Sequence, residues 1–114
     1  VVYHVNDSEN ALAALRNVGN HLDVTDGKAK IVVVTHAKGI DFLLDGAQDK
    51  NGNPYIIPVE KLKERGVDFR VCAITLKTRK IDPKRVIPEA NIVPSGVAEI
   101  GKLQTREGYV YLKP

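Results

Sequence analysis

The chain has 114 residues, 43% of them hydrophobic and 27% charged, which is an ordinary composition for one folded domain and excludes a disordered protein. Seventeen basic and fourteen acidic side chains leave a net charge of +3, which is too small to indicate a polyanion partner by itself. At this length we expect one domain, residues 1–114. Because Cys72 is the single cysteine and no apolar run approaches the ~20 residues of a membrane span, we expect the protein in a reducing cytoplasm. The chain has no methionine and opens within an apolar run, so we expect that a short N-terminal piece is missing.

The first third of the chain predicts a strand, a helix and a second strand. Val1–Val5 predicts the first strand, and residues 6–8 (Asn-Asp-Ser) are good helix N-caps. They precede apolar residues from Ala11 to Leu22 that share one helix face. Ile31–Thr35 predicts the second strand. Its first four residues are apolar on both faces, as expected of a central parallel strand that helices cover on each side.

The middle third adds short helices around a third strand. Ile40–Leu44 predicts a short helix that enters a polar loop, Asp45–Pro54. Pro58 lies at a first helical turn, and Gly66 lies just beyond the end of that compact helix. Val67–Ala73 predicts the third strand, with a short helical segment directly after it.

The last third predicts two more strands and a second long helix. Asp82–Pro88 predicts a further turn of helix, and Ile92–Val93 predicts a short fourth strand. Val97–Leu103 has the spacing of a helix, and Gly108 ends it before a final strand at Tyr109–Leu112. Together these elements predict an α/β fold, a three-layer α/β/α domain with a mostly parallel sheet of about five strands.

Three patterns that would indicate a nucleotide or a metal ion have better structural explanations. Gly96–Leu103 nearly matches a phosphate-binding loop, but Leu103 replaces the Ser or Thr that holds Mg²⁺, and the spacing favours a helix. The polar segment from Asp49 resembles a calcium loop with Pro54 where a glycine is required. The three histidines and Cys72 are too far apart in sequence to predict a zinc site. We therefore predict no metal site.

Basic residues crowd the segment after the third strand: Lys77, Arg79, Lys80, Lys84 and Arg85. No aromatic residue accompanies them, although base stacking on aromatic side chains is typical of nucleic-acid sites. We therefore expect no nucleic-acid partner. A solvated basic face or a bound small anion explains this cluster.

Several polar residues directly follow predicted strands: Asn6, His36, Cys72 and Ser95. In an open parallel sheet the carboxyl ends of the strands line the ligand crevice, so we expect the chemistry at this edge. His36 is either an ordinary loop histidine or a catalytic one. His4, within the first strand, and His21, in a helix tail, both have ordinary structural explanations.

Cys72 is the most informative residue, and its position supports two interpretations equally. A helix that begins near Ala73 would direct N–H groups and its positive dipole end at the sulfur, which lowers a thiol pKa and stabilises a thiolate or persulfide anion. Lys77 and Arg79 would add positive potential if they face the same way. The alternative is a buried small hydrophobe, the commonest state of a lone cysteine.

Four segments together resemble the DsrE/DsrF-like sulfur-relay family across nearly the whole chain: Tyr3–Asn6, Val34–Ile40, Val71–Arg79 and Ile92–Ile100. In that family an apolar strand ends in Cys and is followed by a short helix with a Leu and basic residues, as in Val71–Arg79. The resemblance implies a three-layer sheet protein that assembles into trimers or hexamers, with no metal or organic cofactor. It also implies that Cys72 carries sulfur as a persulfide, accepted from one protein and passed to another.

On this basis we predict a sulfur-trafficking protein, at most a sulfurtransferase-like carrier, with Cys72 and His36 as its catalytic residues. The ligand-binding residues predicted around them are Asn6, Thr75, Arg79, Ser95 and Gly96. One alternative is a non-enzymatic oligomeric binding module for a small anionic ligand at the same strand ends. Another is an oligomer whose loop Asp45–Pro54 contacts a protein partner. Tyr109–Leu112 would invite pairing as a free edge, so we expect it in a contact between subunits of a homo-oligomer.

Overall fold

The computed structural model describes residues 1–114 and contains one sheet of five strands, all parallel. The strands are β1 (Val2–Asp7), β2 (Val32–Lys38), β3 (Asp68–Cys72), β4 (Ala90–Val93) and β5 (Tyr111–Leu112). Their order across the sheet is β4-β3-β2-β1-β5. The predicted α/β fold with about five strands in a mostly parallel sheet is confirmed.

Helices cover both faces of this sheet. They are α1 (Ala11–Val24), α2 (Ile56–Glu64), α3 (Ala73–Thr78) and α4 (Gly96–Arg106), with three short 3₁₀ turns at Ser8–Asn10, Asp41–Leu43 and Pro83–Arg85. The helices α1 and α2 pack together on one face, and α4 lies on the other face. None of the helices has the length and apolar character needed to cross a bilayer.

The second strand is buried on both faces, as its sequence predicts. Val33 belongs to a cluster of 20 buried residues that includes the inner faces of α1 and α2. Val32 and Val34 lie in a second cluster on the opposite face. Ile100 and Leu103 of α4 complete that second cluster. Because successive side chains of a strand point to opposite faces, β2 joins both outer layers to one central sheet.

The strand order reverses between β1 and β5. From β1 the chain proceeds through β2 and β3 to β4 on one side, and α4 then carries it back across the sheet to β5, on the other side of β1. The last strand lies against the first residues of β1, with Tyr111 opposite Val2 and Leu112 opposite Tyr3. Because β1 to β4 are parallel, the strand ends to which the sequence assigns the chemistry lie at one edge of the sheet, where ligands of open parallel sheets bind.

Several predicted boundaries shift for local reasons. The strand β3 stops at Cys72 rather than Ala73, because Ala73 already begins α3. The strand β1 extends to Asp7, whose carboxylate accepts the N–H of Glu9 and caps a 3₁₀ turn, so α1 begins only at Ala11.

Other elements differ in length from their predictions. The final strand comprises only Tyr111 and Leu112, because only these two residues pair with β1. The helix predicted at residues 40–44 is a single 3₁₀ turn, and so is the one predicted at residues 82–88. The fourth strand begins two residues earlier than predicted, at Ala90.

The loop after β2 packs tightly over the end of β1. A Cβ built on Gly39 would lie 2.0 Å from the carbonyl oxygen of Val5 and 2.8 Å from Cα of Asn6. Both of these are backbone atoms of a strand in the middle of the sheet, so they cannot move aside without disturbing their neighbours. The absence of a side chain at residue 39 therefore allows this loop to close over β1.

We predict that Gly39→Ala lowers the free energy of unfolding by about 2 kcal/mol or more, because its methyl group overpacks against backbone. Gly101→Ala is the matched control, since a Cβ at that position in α4 meets nothing within 4 Å. Alanine is favoured over glycine by about 1 kcal/mol in an exposed helix. Denaturant unfolding should therefore shift the two midpoints in opposite directions, and equal midpoints would contradict the close contact at Gly39.

Candidate functional site

Cys72 lies at the carboxyl end of β3, where the chain turns directly into α3 with Cys72 as its N-cap residue. The side chains of Phe69 and Val71 belong to the larger core, so alternation places Cys72 on the opposite face, which α4 covers. Arg70 shares that face and donates to Glu99 of α4 at 2.9 Å. The thiol is thus held between β3 and α4, and only 5% of the residue is exposed.

The amino end of α4 approaches the same strand end. Ser95 caps α4 by accepting the N–H of Ala98 at 3.2 Å, which makes Gly96 the first helical residue. A Cβ built on Gly96 would lie 3.3 Å from the Cβ atoms of both Cys72 and His36. Cys72 and His36 therefore flank one point, and glycine at that point lets α4 come this close without crowding.

Two opposing effects set the pKa of the Cys72 thiol. Burial raises it, because a thiolate loses its hydration there. The backbone N–H of Gly96, the hydroxyl and N–H of Thr75, and the N–H of Ile74 all favour the anion, and together they hold the pKa of Cys72 below its ordinary value. The site thus favours a thiolate at the junction of two helix amino ends.

Thr75 and Arg79 also fix the last residues of β2. Ala37 has a φ of +52°, a left-handed conformation that is unfavourable for a residue with a side chain. Its N–H donates to Oγ1 of Thr75 at 3.0 Å, and its carbonyl oxygen accepts from Arg79 at 3.0 Å. Arg79 also donates to Asp41 at 2.7 Å. Arg79 is thus engaged by the protein itself, and its predicted ligand-binding role stays a prediction.

The other predicted residues lie around this centre. Asn6 lies at a β-bulge, where the register between β1 and β2 shifts. Ser95 uses its hydroxyl to cap α4. In the basic cluster Arg85 pairs with Asp45 at 3.3 Å, and the three lysines are exposed. The structure therefore brings four of the predicted residues together, namely His36, Cys72, Thr75 and Gly96.

A hydrogen-bonded chain of three side chains begins at His36. The Nε2 atoms of His36 and His4 are 2.5 Å apart, and Nδ1 of His4 contacts the hydroxyl of Tyr111 at 2.5 Å. The two imidazole ring centroids are 4.7 Å apart, with 20° between the ring planes. With the two Nε2 atoms this close together, the ring centroids could hardly be farther apart than they are. The rings therefore meet edge to edge, as a hydrogen bond between them requires. The three side chains come from three neighbouring strands, β2, β1 and β5.

Both histidines of this hydrogen-bonded chain, His4 and His36, are neutral at neutral pH. Burial lowers the pKa of His4 most, and the neighbouring His36 and Lys113 lower it further, to about 4. Burial and the charge of Lys113 also lower the pKa of His36. A hydrogen bond between two neutral imidazoles needs one proton between the facing nitrogens, so one Nε2 donates and the other accepts.

The sequence predicts only an ordinary structural role for His4 and none in the site for Tyr111. Val2 pairs with Tyr111 and lies in the α4-side cluster, so alternation projects His4 and Tyr111 from that same face. The apolar residues on either side of His4 could have shown which face it occupies. The contact of His4 with Tyr111 joins residues 107 positions apart, and no local sequence pattern predicts it.

Fold and site together define a class of protein: a small all-parallel α/β protein with a cysteine at the carboxyl end of a strand, beneath the amino ends of two helices. The sequence profile of the DsrE/DsrF-like family matches residues 4–114. The chain belongs to this family, as the resemblance of its sequence motifs predicts.

Two solved structures share the fold. The protein of unknown function MTH1491 from Methanobacterium thermoautotrophicum is 29% identical, with a TM-score of 0.83 over 99% of this chain and 96% of that one. The ychN protein from E. coli is 17% identical, with a TM-score of 0.76 over 99% of this chain and 97% of that one. At that identity the second likeness concerns the fold alone. No curated protein sequence matches the chain.

We predict that the protein loses stability as the pH falls from about 6.5 to about 4. The pKa of His4 drops from its ordinary 6.5 to about 4 on folding, so in this window the unfolded state binds more protons and acid favours it. Thermal unfolding across this range should show a weaker pH dependence in His4→Gln than in the native chain. His21→Gln is the control, because His21 lies outside the hydrogen-bonded chain and contacts Tyr3 instead. An unchanged pH dependence in His4→Gln would contradict this assignment.

Proposed function

We propose that this protein carries sulfane sulfur as a persulfide on Cys72 and passes it to a partner protein. The observation that carries the proposal is the convergence of N–H donors from the starts of α3 and α4 on one sulfur, which lowers the pKa of its thiol. The same donors suit a persulfide, whose terminal sulfur is also anionic. Membership of the DsrE/DsrF-like family supports the proposal.

Loading is an exchange between sulfur atoms. The Cys72 thiolate attacks the outer sulfur of a donor persulfide, R–S–SH, and a bond from Sγ to that sulfur forms as the donor S–S bond breaks. The electron pair leaves with R–S⁻, which takes up a proton to become R–SH. The transferred sulfur keeps its oxidation state, so the step needs no outside oxidant or reductant. Since the chain has no second cysteine, a thiolate on another molecule must remove the cargo.

The surface around Cys72 suits a protein partner. Ile74 in α3 and Val97 in α4 are 57% and 65% exposed, although both are apolar. Both lie in the first turn of the helices whose amino ends meet at the sulfur. A groove of about 450 Å³ includes Ile74 and is lined by Ala37, Lys38, Ile74, Thr75, Thr78 and Arg79. We propose that a sulfur donor or acceptor protein contacts these side chains.

We also propose that the protein forms a homo-oligomer, a trimer or a hexamer, through the free edge of β5. This strand pairs with β1 on one side only, and Val110 and Leu112 are exposed beside it. Pairing along a strand edge uses backbone groups and leaves side chains on the sheet faces, such as Tyr111, in place. Light scattering that gives the mass of one chain would contradict this assembly.

A second candidate function is favoured by one observation, the 5% exposure of Cys72. A thiol so covered also fits a binding module in which the sulfur is part of the core and a small anion binds at the strand ends. The loop Asp45–Pro54 would be a separate surface for a protein partner. Calorimetry with inorganic phosphate separates the two functions, because binding to such a module survives Cys72→Ser.

The first experiment is intact-mass measurement after brief incubation with inorganic polysulfide. We predict a gain of one sulfur, about 32 Da, that a reductant reverses and that Cys72→Ser abolishes. Because the chain has no other cysteine, the site of addition is unambiguous. No gain, together with a folded-state thiol that resists iodoacetamide, would make Cys72 a core residue and favour the binding module.

A second prediction concerns the contact between α4 and the sulfur. Gly96→Ala adds a methyl group that meets the Cβ atoms of Cys72 and His36 at 3.3 Å, so we expect α4 to draw back by a few tenths of an ångström and the contact of its N–H with the sulfur to weaken. The pKa of Cys72, read from the pH dependence of its alkylation rate, should rise. Gly101→Ala makes the same change in the same helix without a contact and should leave that pKa unchanged. Equal pKa values in both variants would show that α4 does not stabilise the thiolate.

A further inference from the structure

The two ring nitrogens of His4 are both engaged, one by Tyr111 and one by His36. A neutral imidazole carries one N–H and one bare nitrogen, so His4 must donate in one direction and accept in the other. Tyr111 can do either, because a hydroxyl group both donates and accepts. The protons of the whole chain are therefore ordered together, in one of two arrangements.

In the first arrangement the Tyr111 hydroxyl donates to Nδ1 of His4, and Nε2–H of His4 donates to Nε2 of His36. The proton of neutral His36 must then reside on Nδ1, which is a donor. In the second arrangement every bond is reversed: Nε2–H of His36 donates to His4, Nδ1–H of His4 donates to Tyr111, and Nδ1 of His36 is bare. The direction of the hydrogen bond at Tyr111 is thus coupled to whether Nδ1 of His36 is an acid or a base, although no hydrogen bond joins the two residues.

We propose that Tyr111, His4 and His36 form a proton relay between solvent and the thiol end of β3. One end is His36, whose Cβ flanks the same point as that of Cys72. The other end is the hydroxyl of Tyr111, a residue that is 37% exposed at the edge of the sheet. Shifting one proton along each of the two hydrogen bonds, with the loss of a proton from Nδ1 of His36 and the uptake of one by the Tyr111 oxygen, converts the first arrangement into the second without moving any ring.

The role of this relay in sulfur transfer rests on the proposed function. When the Cys72 thiolate displaces R–S⁻ from a donor persulfide, the leaving thiolate needs a proton, and Nδ1–H of His36 supplies it. His36 regains a proton on Nε2 from His4, which takes one on Nδ1 from the Tyr111 hydroxyl, and water reprotonates Tyr111. One proton has then passed from water to the leaving group, and unloading the sulfur uses the second arrangement in reverse. His36 is the catalytic residue of this step, and His4 and Tyr111 are positioning residues.

Burial, and after it the charge of Lys113, favours neutral imidazoles in the relay. Lys113, just beyond β5, is the cation that acts on both histidines. Cys72 on β3 is the titratable group on the side of His36. A neutral pair retains one bare nitrogen and one N–H in each ring, which is the condition for proton transfer along the chain.

The test compares two reactions that use the same Cys72 thiolate as nucleophile and differ in their need for a proton on the leaving group. Alkylation by iodoacetamide releases iodide, which needs none, whereas loading from cysteine persulfide releases an alkyl thiolate that does. We expect Tyr111→Phe to slow loading by at least about tenfold at neutral pH, within the range of general acid catalysis, and to leave alkylation unchanged. Tyr109→Phe is the matched control, because it removes the same hydroxyl group two residues away, from a residue that does not belong to the relay.

The remaining outcomes overturn the relay. Equal slowing of both reactions by Tyr111→Phe would mean that the hydroxyl only supports the structure around Cys72. No slowing of either reaction would mean that the hydroxyl has no part in proton transfer. The pH profile of loading adds a second readout, since its shape should change in Tyr111→Phe and stay the same in Tyr109→Phe.

A spectroscopic readout separates the relay from the proposed function. The ¹⁵N chemical shifts of His36 report which ring nitrogen carries the proton, whether or not Cys72 accepts sulfur. We expect these shifts to change in Tyr111→Phe and not in Tyr109→Phe. Changed shifts in a protein that takes up no sulfur would retain the relay and reject the sulfur carrier. Unchanged shifts in a protein that does take up sulfur would reject the relay alone.

Discussion

The close approach of α4 to the carboxyl ends of β2 and β3 is the contact on which the site depends. It is possible because Gly96 begins the helix, where a Cβ would meet the Thr35 carbonyl oxygen at 3.2 Å and the Cβ atoms of Cys72 and His36 at 3.3 Å. Ser95 fixes the start of the helix at this residue by its cap. The small core cluster beneath α4 then holds the helix on the sheet. One glycine thus links the packing of an entire layer to the environment of one sulfur.

The same contact explains how a nearly covered thiol retains a lowered pKa. Burial alone opposes the thiolate, and a cysteine in an apolar core would have a raised pKa. At Cys72 the covering atoms are themselves N–H donors, because α3 begins at the next residue and α4 begins above it. The two interpretations that the sequence leaves open, a buried cysteine and an activated one, are therefore not exclusive.

Elements and strand ends could be predicted from the sequence because they depend on short-range patterns. The residues before Thr35 are apolar on both faces, which predicts a central strand. His36 and Cys72 each follow an apolar run, which predicts that both lie at one edge of the sheet. The partners of His36 could not be predicted in this way. They depend on the pairing of β5 with β1, and a strand of two residues has too short a sequence pattern to predict which strand it pairs with. The roles of Ser95 and Arg79 likewise follow from their hydrogen-bond partners, which residue type does not reveal.

The pairing of β5 with β1 brings side chains from distant parts of the sequence together. Because β5 returns beside β1, a tyrosine near the end of the chain reaches a histidine near its beginning, and that histidine reaches His36 in β2. Three strands thereby contribute one side chain each to a single line of hydrogen bonds. Since both rings are neutral, its hydrogen bonds share one proton order, and in the relay proposed above a change at the sheet edge reaches His36 without any movement of the backbone. The fold therefore supplies two features at one edge, the N–H groups that lower the pKa of the Cys72 thiol and the hydrogen-bonded side chains of the relay proposed above.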